Sequence, residues 1–455
     1  MLFRDLSEDI IKKSIAKEKM EVKLQYERVN DKLLDFYEDR QLRDEYTKEY
    51  GFKKQDGKTD LPMVSYNLTK KIINKISLVY KNPPERKLEK SEAYTEWLAN
   101  NEMFDEAIKS AERYKNLLGK VLFRPHYKQQ TDEWVFFVET YYEAHFLEGD
   151  PLNPVAYSYP KRQDNDPNNV EKDWWAFWSN EYYFDYIPGT NRIRYDENFP
   201  DGKNPFDIIP FVELRDMFPV NQYDTSGAIS LIQANENINI AMNDLNLMVH
   251  YQAFDQPIAK GITPTDVGKI NAGPNKIIAL TDIESDFSLL GYSPKITESI
   301  EAIKFAIQTV AYTYNLSINW AIESNPASGF SLLVQNIDLL EAREDDVSMA
   351  KFGEKRVYKV ISAMNNYYKL KPQLPDEALY VNFADIDFPV NQKEELDQRN
   401  WYIEHNIKTP LDYMDADLSE DEKLEQFKKN KEINGKLTAR DRLAMTVEEV
   451  GGEIA

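Results

Sequence analysis

Two stretches of the chain place apolar residues at alternating spacings of three and four over a length that only a long helix can use. In SGAISLIQANENINIAMNDLNLMVH, residues 226–250, the series is Leu231, Ala234, Ile238, Ala241, Leu245 and Met248. In ITESIEAIKFAIQTVAYTYN, which begins at Ile296, it is Ile296, Ile300, Ile303, Ile307, Val310 and Tyr314. Such a seam packs one helix against another. At about 28 residues the first of these helices would be roughly 42 Å long. Residues 255–294 between them contain QPIAKG, NKIIALT and FSLLGYS, punctuated by Gly261, Pro264, Gly268, Gly273 and Pro274. That composition fits a small β-rich insertion. Two long helices bracketing a compact β element predict a stalk with a tip.

The first of these helices carries five asparagines and almost no charge, in a chain that is charged nearly everywhere else. Asn235, Asn239, Asn243 and Asn246 repeat at the helical spacing on a strip beside the apolar seam. An amide both donates and accepts hydrogen bonds without fixing a charge, so the strip needs a polar partner of its own.

The rest of the chain supplies a body for this stalk. At 455 residues, 42% hydrophobic and 13% aromatic, it buries enough surface for several domain-sized units. Residues 6–50 form a mixed-charge helical stretch with Ile11, Ile15, Leu24, Leu33, Leu34 and Tyr37 as a broken apolar stripe. In LPMVSYNLTKKIINKISLVYKNPPER, residues 61–86, Leu68, Ile72, Ile76 and Val79 have helical spacing, and Pro83-Pro84 is the expected stop. A helix is expected over 92–118, ended by Gly119. From 120 to 215 short runs such as KVLFRPHY, EWVFFVETYY, VAYSYPKR, WWAFWSNEYYFDYI and IIPFVELR alternate with the turn clusters EGDPLNP, QDNDPNN and PGTN. This pattern predicts an antiparallel meander whose aromatics form sheet core rather than a base-stacking or sugar platform. A Pro/Ser/Gly break at 324–329 separates the second stalk helix from a helical stretch reaching about 369. A strand and turn are expected in ALYVNFADIDFP, 378–389, followed by charged amphipathic helix over 390–432. The fold class is α+β and mostly helical.

Composition also removes whole classes of chemistry. There is no cysteine, which excludes disulfides, thiolate nucleophiles and cysteine-based metal sites and fits a reducing cytoplasm. No segment has the apolar run of a signal peptide or a membrane span, so neither secretion nor membrane insertion is expected. The net charge of −22, from 56 basic and 78 acidic residues, repels phosphate and anionic lipid at long range and argues against a conventional nucleic-acid binder. No P-loop is present, and Gly329 is not in a nucleophile elbow.

The order of these pieces resembles a portal protein of a tailed bacteriophage, the head-to-tail connector family. The likeness covers about residues 60 to 432. It rests on LPMVSYNLTKKIINKISLVYKNPPER, on the aromatic meander ending in NPFDIIPFVELRD, on SGAISLIQANENINIAMNDLNLMVH with QPIAKG after it, on SGFSLLVQNIDLL, and on VNFADIDFPVNQKEELDQRNWYIEHNIKTPLDYM. The resemblance implies a ring, usually of twelve subunits, at one vertex of the capsid. It implies a wing at 1–223, stem helices at 224–254 and 295–317, a clip at 255–294, further wing helices at 318–375 and a crown with C-terminal tail at 376–455. The stem seam would be Leu231, Ile238, Leu245, Ile300, Ile303, Ile307 and Val310. A loop facing DNA in the tunnel would fall at 321–330, with Asn325, Pro326, Ser328, Gly329 and Phe330, in preference to the charged EAREDD segment at 341–346. Clip contacts to terminase or adaptor would come from Lys260, Lys269, Asn271, Asn275 and Lys276. The implied partners are other copies of the chain, the terminase large subunit, major capsid and scaffolding proteins, a neck adaptor, and double-stranded DNA passing through without sequence-specific binding. The implied location is the virion, after assembly in the host cytoplasm. No cofactor and no catalytic residue are implied.

On this reading the asparagine strip would meet neighbouring subunits or the lumen; otherwise it fills helix contacts within one chain, where polar seams set register. An acidic or neutral lumen would let DNA slide, because each lysine–phosphate contact is binding energy that a moving duplex must break. Two other function classes compete. A metal-dependent nuclease would use acids such as Asp385, Asp387, Glu394 and Glu395, and a helical adaptor without a ring would use the same amphipathic helices. The four histidines, His126, His145, His250 and His405, lack metal-site spacing. His145, near Glu148 and Asp150, is expected in a solvated turn.

Overall fold

A computed structural model describes residues 2–17, 20–40, 64–161, 174–197, 199–218, 227–252, 256–260, 286–290, 295–316, 337–384, 399–405, 409–413 and 423–430. The chain divides into two compact units, 1–320 with 336–385, and 321–335 with 386–455. The larger one mixes helix and strand, with helix predominating.

The larger unit opens with a short strand β1 (Leu2–Phe3) and helices α1 (Glu8–Ile15) and α2 (Met20–Tyr37). Ile11 and Ile15 are buried on α1, as are Leu33, Leu34 and Tyr37 on α2. Helix α3 (Leu68–Ile76) starts where the side chain of Asn67 accepts the N–H of Lys70 at 2.8 Å, a standard N-cap. It ends at Ser77, well short of the proline pair expected to stop it. The buried carboxylate of Glu112 takes the N–H groups of Val79 and Tyr80 at 2.8 and 3.0 Å, so the chain turns before the prolines are reached. Strand β2 (Glu85–Leu88) follows, and the single helix expected over 92–118 is divided into α4 (Ala93–Ala99) and α5 (Met103–Leu118). At the break, Asn101 donates its side-chain amide to the carbonyl of Trp97 at 2.7 Å, competing with the helical pattern. Gly119 ends α5 with φ of 81°, the left-handed conformation glycine adopts without strain.

The expected meander is present but divided between two sheets. β3 (Lys120–Lys128) and β4 (Glu133–Glu139) form a hairpin. β5 (Glu143–Leu147), β6 (Asp150–Pro160), β7 (Trp175–Ser179), β8 (Tyr183–Tyr186) and β9 (Ile193–Arg194) run on antiparallel, and β1 adds in parallel beside β5 to make six strands. Strand β10 (Val212–Arg215) returns to the first hairpin in the order β10–β3–β4. The EGDPLNP cluster is not wholly a turn: β6 begins inside it, at Asp150, with register shifts on either side of Phe146, which absorb its prolines. The aromatics are core, as expected. Trp175, Phe177, Phe184 and Tyr186 are buried on one side, while Trp97, Phe104 and Phe123 belong to the main core, with Phe136 packed against them.

Helix α6 (Ile229–Gln252), the antiparallel ribbon of β11 (Gln256–Lys260) and β12 (Asp286–Leu290), and helix α7 (Ile296–Thr313) come next. Helix α8 (Ile337–Tyr367) runs across the body, and β13 (Leu379–Asn382) pairs antiparallel with β2. Segment 341–346, the second choice for a tunnel loop, is therefore helical, because nothing in it interrupts helix formation. Leu374, Leu379 and Phe383 join the main core, so the boundary expected at 376 falls inside the larger unit, which ends at 385. In the smaller unit, residues 423–430 are helical as expected, and Trp401 stacks on His405 with centroids 4.2 Å apart.

Candidate functional site

The two helices with seam patterns do pack against each other. Near the ribbon end, the hydroxyl of Ser299 reaches the sulfur of Met248 at 3.9 Å, so the start of α7 lies beside the end of α6. The pair is rooted in the body at its other end. Gly227, with φ of 55°, precedes α6, and a Cβ there would lie 2.6 Å from the carbonyl oxygen of Leu117. Only glycine lets the helix start that close to the end of α5. Leu231 and Ile232 are buried in the main core, Ile238 is buried, and Leu245 is half-buried. On α7, Ile303 is 7% exposed, Ile307 is half-buried and Val310 packs on the main core. Ala311 and Leu316 cluster with Leu339 of α8 and with Ile72 and Ile76 of α3.

Ile300 departs from the expected seam, being 38% exposed. A two-helix contact covers only a narrow stripe, and Ile300 lies at its margin. The opposite face of α7 carries Phe305 at 72% and Tyr312 at 68% exposure. Thr309 lies between them and is exposed, its hydroxyl turned back onto the carbonyl of Phe305 at 2.9 Å. These positions are four and three residues apart, so an apolar stripe faces outward along the stalk.

The asparagine strip has a partner within the chain. Asn243 accepts the N–H of Val64 and donates to the carbonyl of Val64, both at 2.8 Å. One turn earlier, Asn239 accepts the N–H of Tyr66 at 2.9 Å and donates to its carbonyl at 3.3 Å. Asn235 donates to the hydroxyl of Thr69 at 3.2 Å. Each of the first two amides treats the segment before α3 as a neighbouring β-strand would, reading backbone and leaving the side chains of Val64 and Tyr66 exposed. The expectation that this face meets neighbouring subunits or a lumen is corrected for Asn235, Asn239 and Asn243, which are buried. Asn246 is exposed. The reason is elementary: an extended backbone beside a helix leaves N–H and C=O groups that must be paired, and primary amides pair both at once. The helical spacing of the asparagines was the available signal; the VSYN segment that they hold, residues 64–67, was not marked by any pattern of its own.

A cleft of about 280 Å³ lies among α5, β6, β10 and α8. Its charges are used internally. Lys115 meets Asp346 at 3.6 Å, Arg215 meets Glu213 at 2.8 Å, and Tyr142 donates to Glu213 at 2.7 Å. Burial pushes the Glu112 carboxyl above the usual carboxylate range, against the pull of the two backbone N–H groups it holds. This network braces elements and presents no nucleophile with an adjacent base.

His145 is a second correction. It is fully buried rather than in a solvated turn, its ring tilted against Phe3 and Phe177 and its Nε2 2.8 Å from the hydroxyl of Ser158. Strand β5 is covered on both faces: Ala144 and Phe146 face the main core, and His145 points the opposite way, into the second cluster with Phe3 and Phe177. No group of metal-binding side chains exists among the described residues. The proposed tunnel residues Asn325, Pro326, Ser328, Gly329 and Phe330 lie outside the described residues, as do Lys269, Asn271, Asn275, Lys276 and the acids Asp385, Asp387, Glu394 and Glu395. Lys260 is the last residue of β11, opposite Asp286. None of the described helices is long and apolar enough to cross a membrane.

The chain matches no family model and no curated protein.

Proposed function

We propose that the chain is the portal protein of a tailed phage, a ring at one capsid vertex through which the genome is packaged and ejected. The observation that carries this reading is the helix–ribbon–helix unit: α6 and α7 pack together, an antiparallel β ribbon joins them, and α7 turns Phe305 and Tyr312 outward. An apolar stripe along a stalk is suited to a neighbouring copy of the same stalk, and repeated head-to-tail contacts close a ring. In that ring the ribbon is the clip that docks terminase and then the neck, and the α/β body is the wing. The role is mechanical, and no residue acts as a catalyst. Native mass spectrometry of the purified chain, with negative-stain images of the same sample, tests it. A ring of about a dozen subunits with a central hole is expected. A monomer or dimer at high concentration, unchanged by Phe305→Asp and Tyr312→Asp, would point instead to the helical adaptor.

A further inference from the structure

The outer face of the β2–β13 ribbon and the adjoining side of α8 enclose a shallow cavity of about 300 Å³. Its lining includes Lys87, Lys351, Lys355 and Tyr380. Tyr380 sits directly opposite Lys87 in the antiparallel register, so their side chains share one face of the ribbon, and Tyr380 is 61% exposed. Lys351 and Lys355 are one helical turn apart, and Lys359 continues the exposed row. Successive lysines are thus about 6 Å apart along the axis, from the rise of an α-helix. Glu85 is the one acid in the lining, and it is taken by Lys87 at 2.5 Å. Glu354, next to the row in sequence, points inward to Arg86. Lys351, Lys355 and Lys359 have no ion pair among the described residues.

We propose that this groove binds a single-stranded nucleic-acid segment, with phosphates on the lysine row and a base stacked on Tyr380. The chain's net charge of −22 does not forbid it. At physiological salt the screening length is about 8 Å, so a phosphate in the groove responds chiefly to the cations lining it. A row of cations beside an exposed aromatic face is the arrangement that holds single strands with little sequence preference. The site is complete within one chain and is independent of ring assembly.

The test is fluorescence anisotropy of a labelled twenty-nucleotide oligothymidylate with the full-length protein at increasing KCl. Three phosphate contacts give a log–log salt slope of about −2 for a single strand, or roughly a 20-fold loss between 50 and 200 mM salt. The Lys351→Gln, Lys355→Gln, Lys359→Gln variant should bring the slope close to zero, and Tyr380→Ala should weaken binding about tenfold at constant slope. These residues are exposed, so circular dichroism of each variant should match the parent. An unchanged slope in the lysine variant, unchanged affinity in Tyr380→Ala, or equal displacement of the probe by polyglutamate would overturn the proposal; the last would identify an acidic protein as the occupant.

Discussion

Arg86 holds Glu354 through two parallel hydrogen bonds, Nε to Oε2 at 3.0 Å and Nη2 to Oε1 at 2.8 Å, across 268 residues of sequence. Both side chains are buried, and the remaining guanidinium nitrogen reaches Asp105 at 2.7 Å while the cation lies over the Phe104 ring at 5.0 Å. One side chain therefore joins β2, α5 and α8, which is how the long helix is fixed to the body that carries the stalk.

Removing only the cation is expected to be costly. Arg86→Ala leaves a buried carboxylate without its partner, and such losses run to about 3–5 kcal/mol. The double variant Arg86→Met, Glu354→Leu removes both charges and should recover most of that loss, because the apolar pair bears no desolvation cost. Urea denaturation of the parent, the single and the double variant decides it. A double variant as unstable as the single one would show that the geometry of the fork, rather than charge balance, sustains the contact.

The asparagine ladder makes a local prediction. Asn239→Ala leaves the N–H of Tyr66 without its acceptor, while the carbonyl of Tyr66 keeps the N–H of Leu68 at 3.1 Å, so a loss of about 1 kcal/mol is expected. Hydrogen exchange should report faster exchange at Tyr66 and little change at Lys70, whose N–H is held by Asn67 instead. Equal acceleration at both positions would mean that the start of α3 depends on the clasp.

The packed helix pair was readable because such a pair needs an apolar seam, and the sequence shows one from Leu231 to Met248 and another from Ile296 to Tyr314, of which Ile300 falls at the margin. The meander was readable in the same way, from alternation and turn residues. What stayed hidden depends on contacts distant in sequence. Glu112 stops α3 from another helix, β1 joins β5 from the far end of the unit, and Arg86 finds Glu354 with no local pattern to announce either partner. His145 was misplaced for a local reason, since a turn-rich stretch after it masked the strand. For the candidate site, the apolar seam was legible, but the partner of the amide face was not, because backbone groups leave no mark in side-chain patterns.

The seam gives a contrast between neighbours. Ile303→Asp places a charge at a position 7% exposed, whereas Ile300→Asp places it at one 38% exposed. The first should lose several kcal/mol through an unpaired buried charge, and the second should stay within about 1 kcal/mol, as partly solvated sites do. Thermal unfolding followed by circular dichroism checks the order. Equal losses would mean that Ile300 is covered by something outside one chain, as a ring neighbour would cover it.

Glu112 makes the stability depend on pH with a definite sign. Burial raises its carboxyl above the ordinary value of 4.5, so between that value and its folded-state pKa the native protein binds more protons than the unfolded chain. Stability contributed by this group is then full below the unfolded pKa and is lost as pH rises through the folded pKa. Glu112→Gln cannot titrate and keeps one acceptor for the N–H groups of Val79 and Tyr80. The parent's stability relative to Glu112→Gln should therefore decline as pH rises from 4.5, then level off above the folded pKa. Chemical denaturation of both proteins across that range measures the difference directly. A difference that grows with pH would show that the two backbone N–H groups and Lys115 outweigh burial, and that the carboxylate is the form the fold prefers.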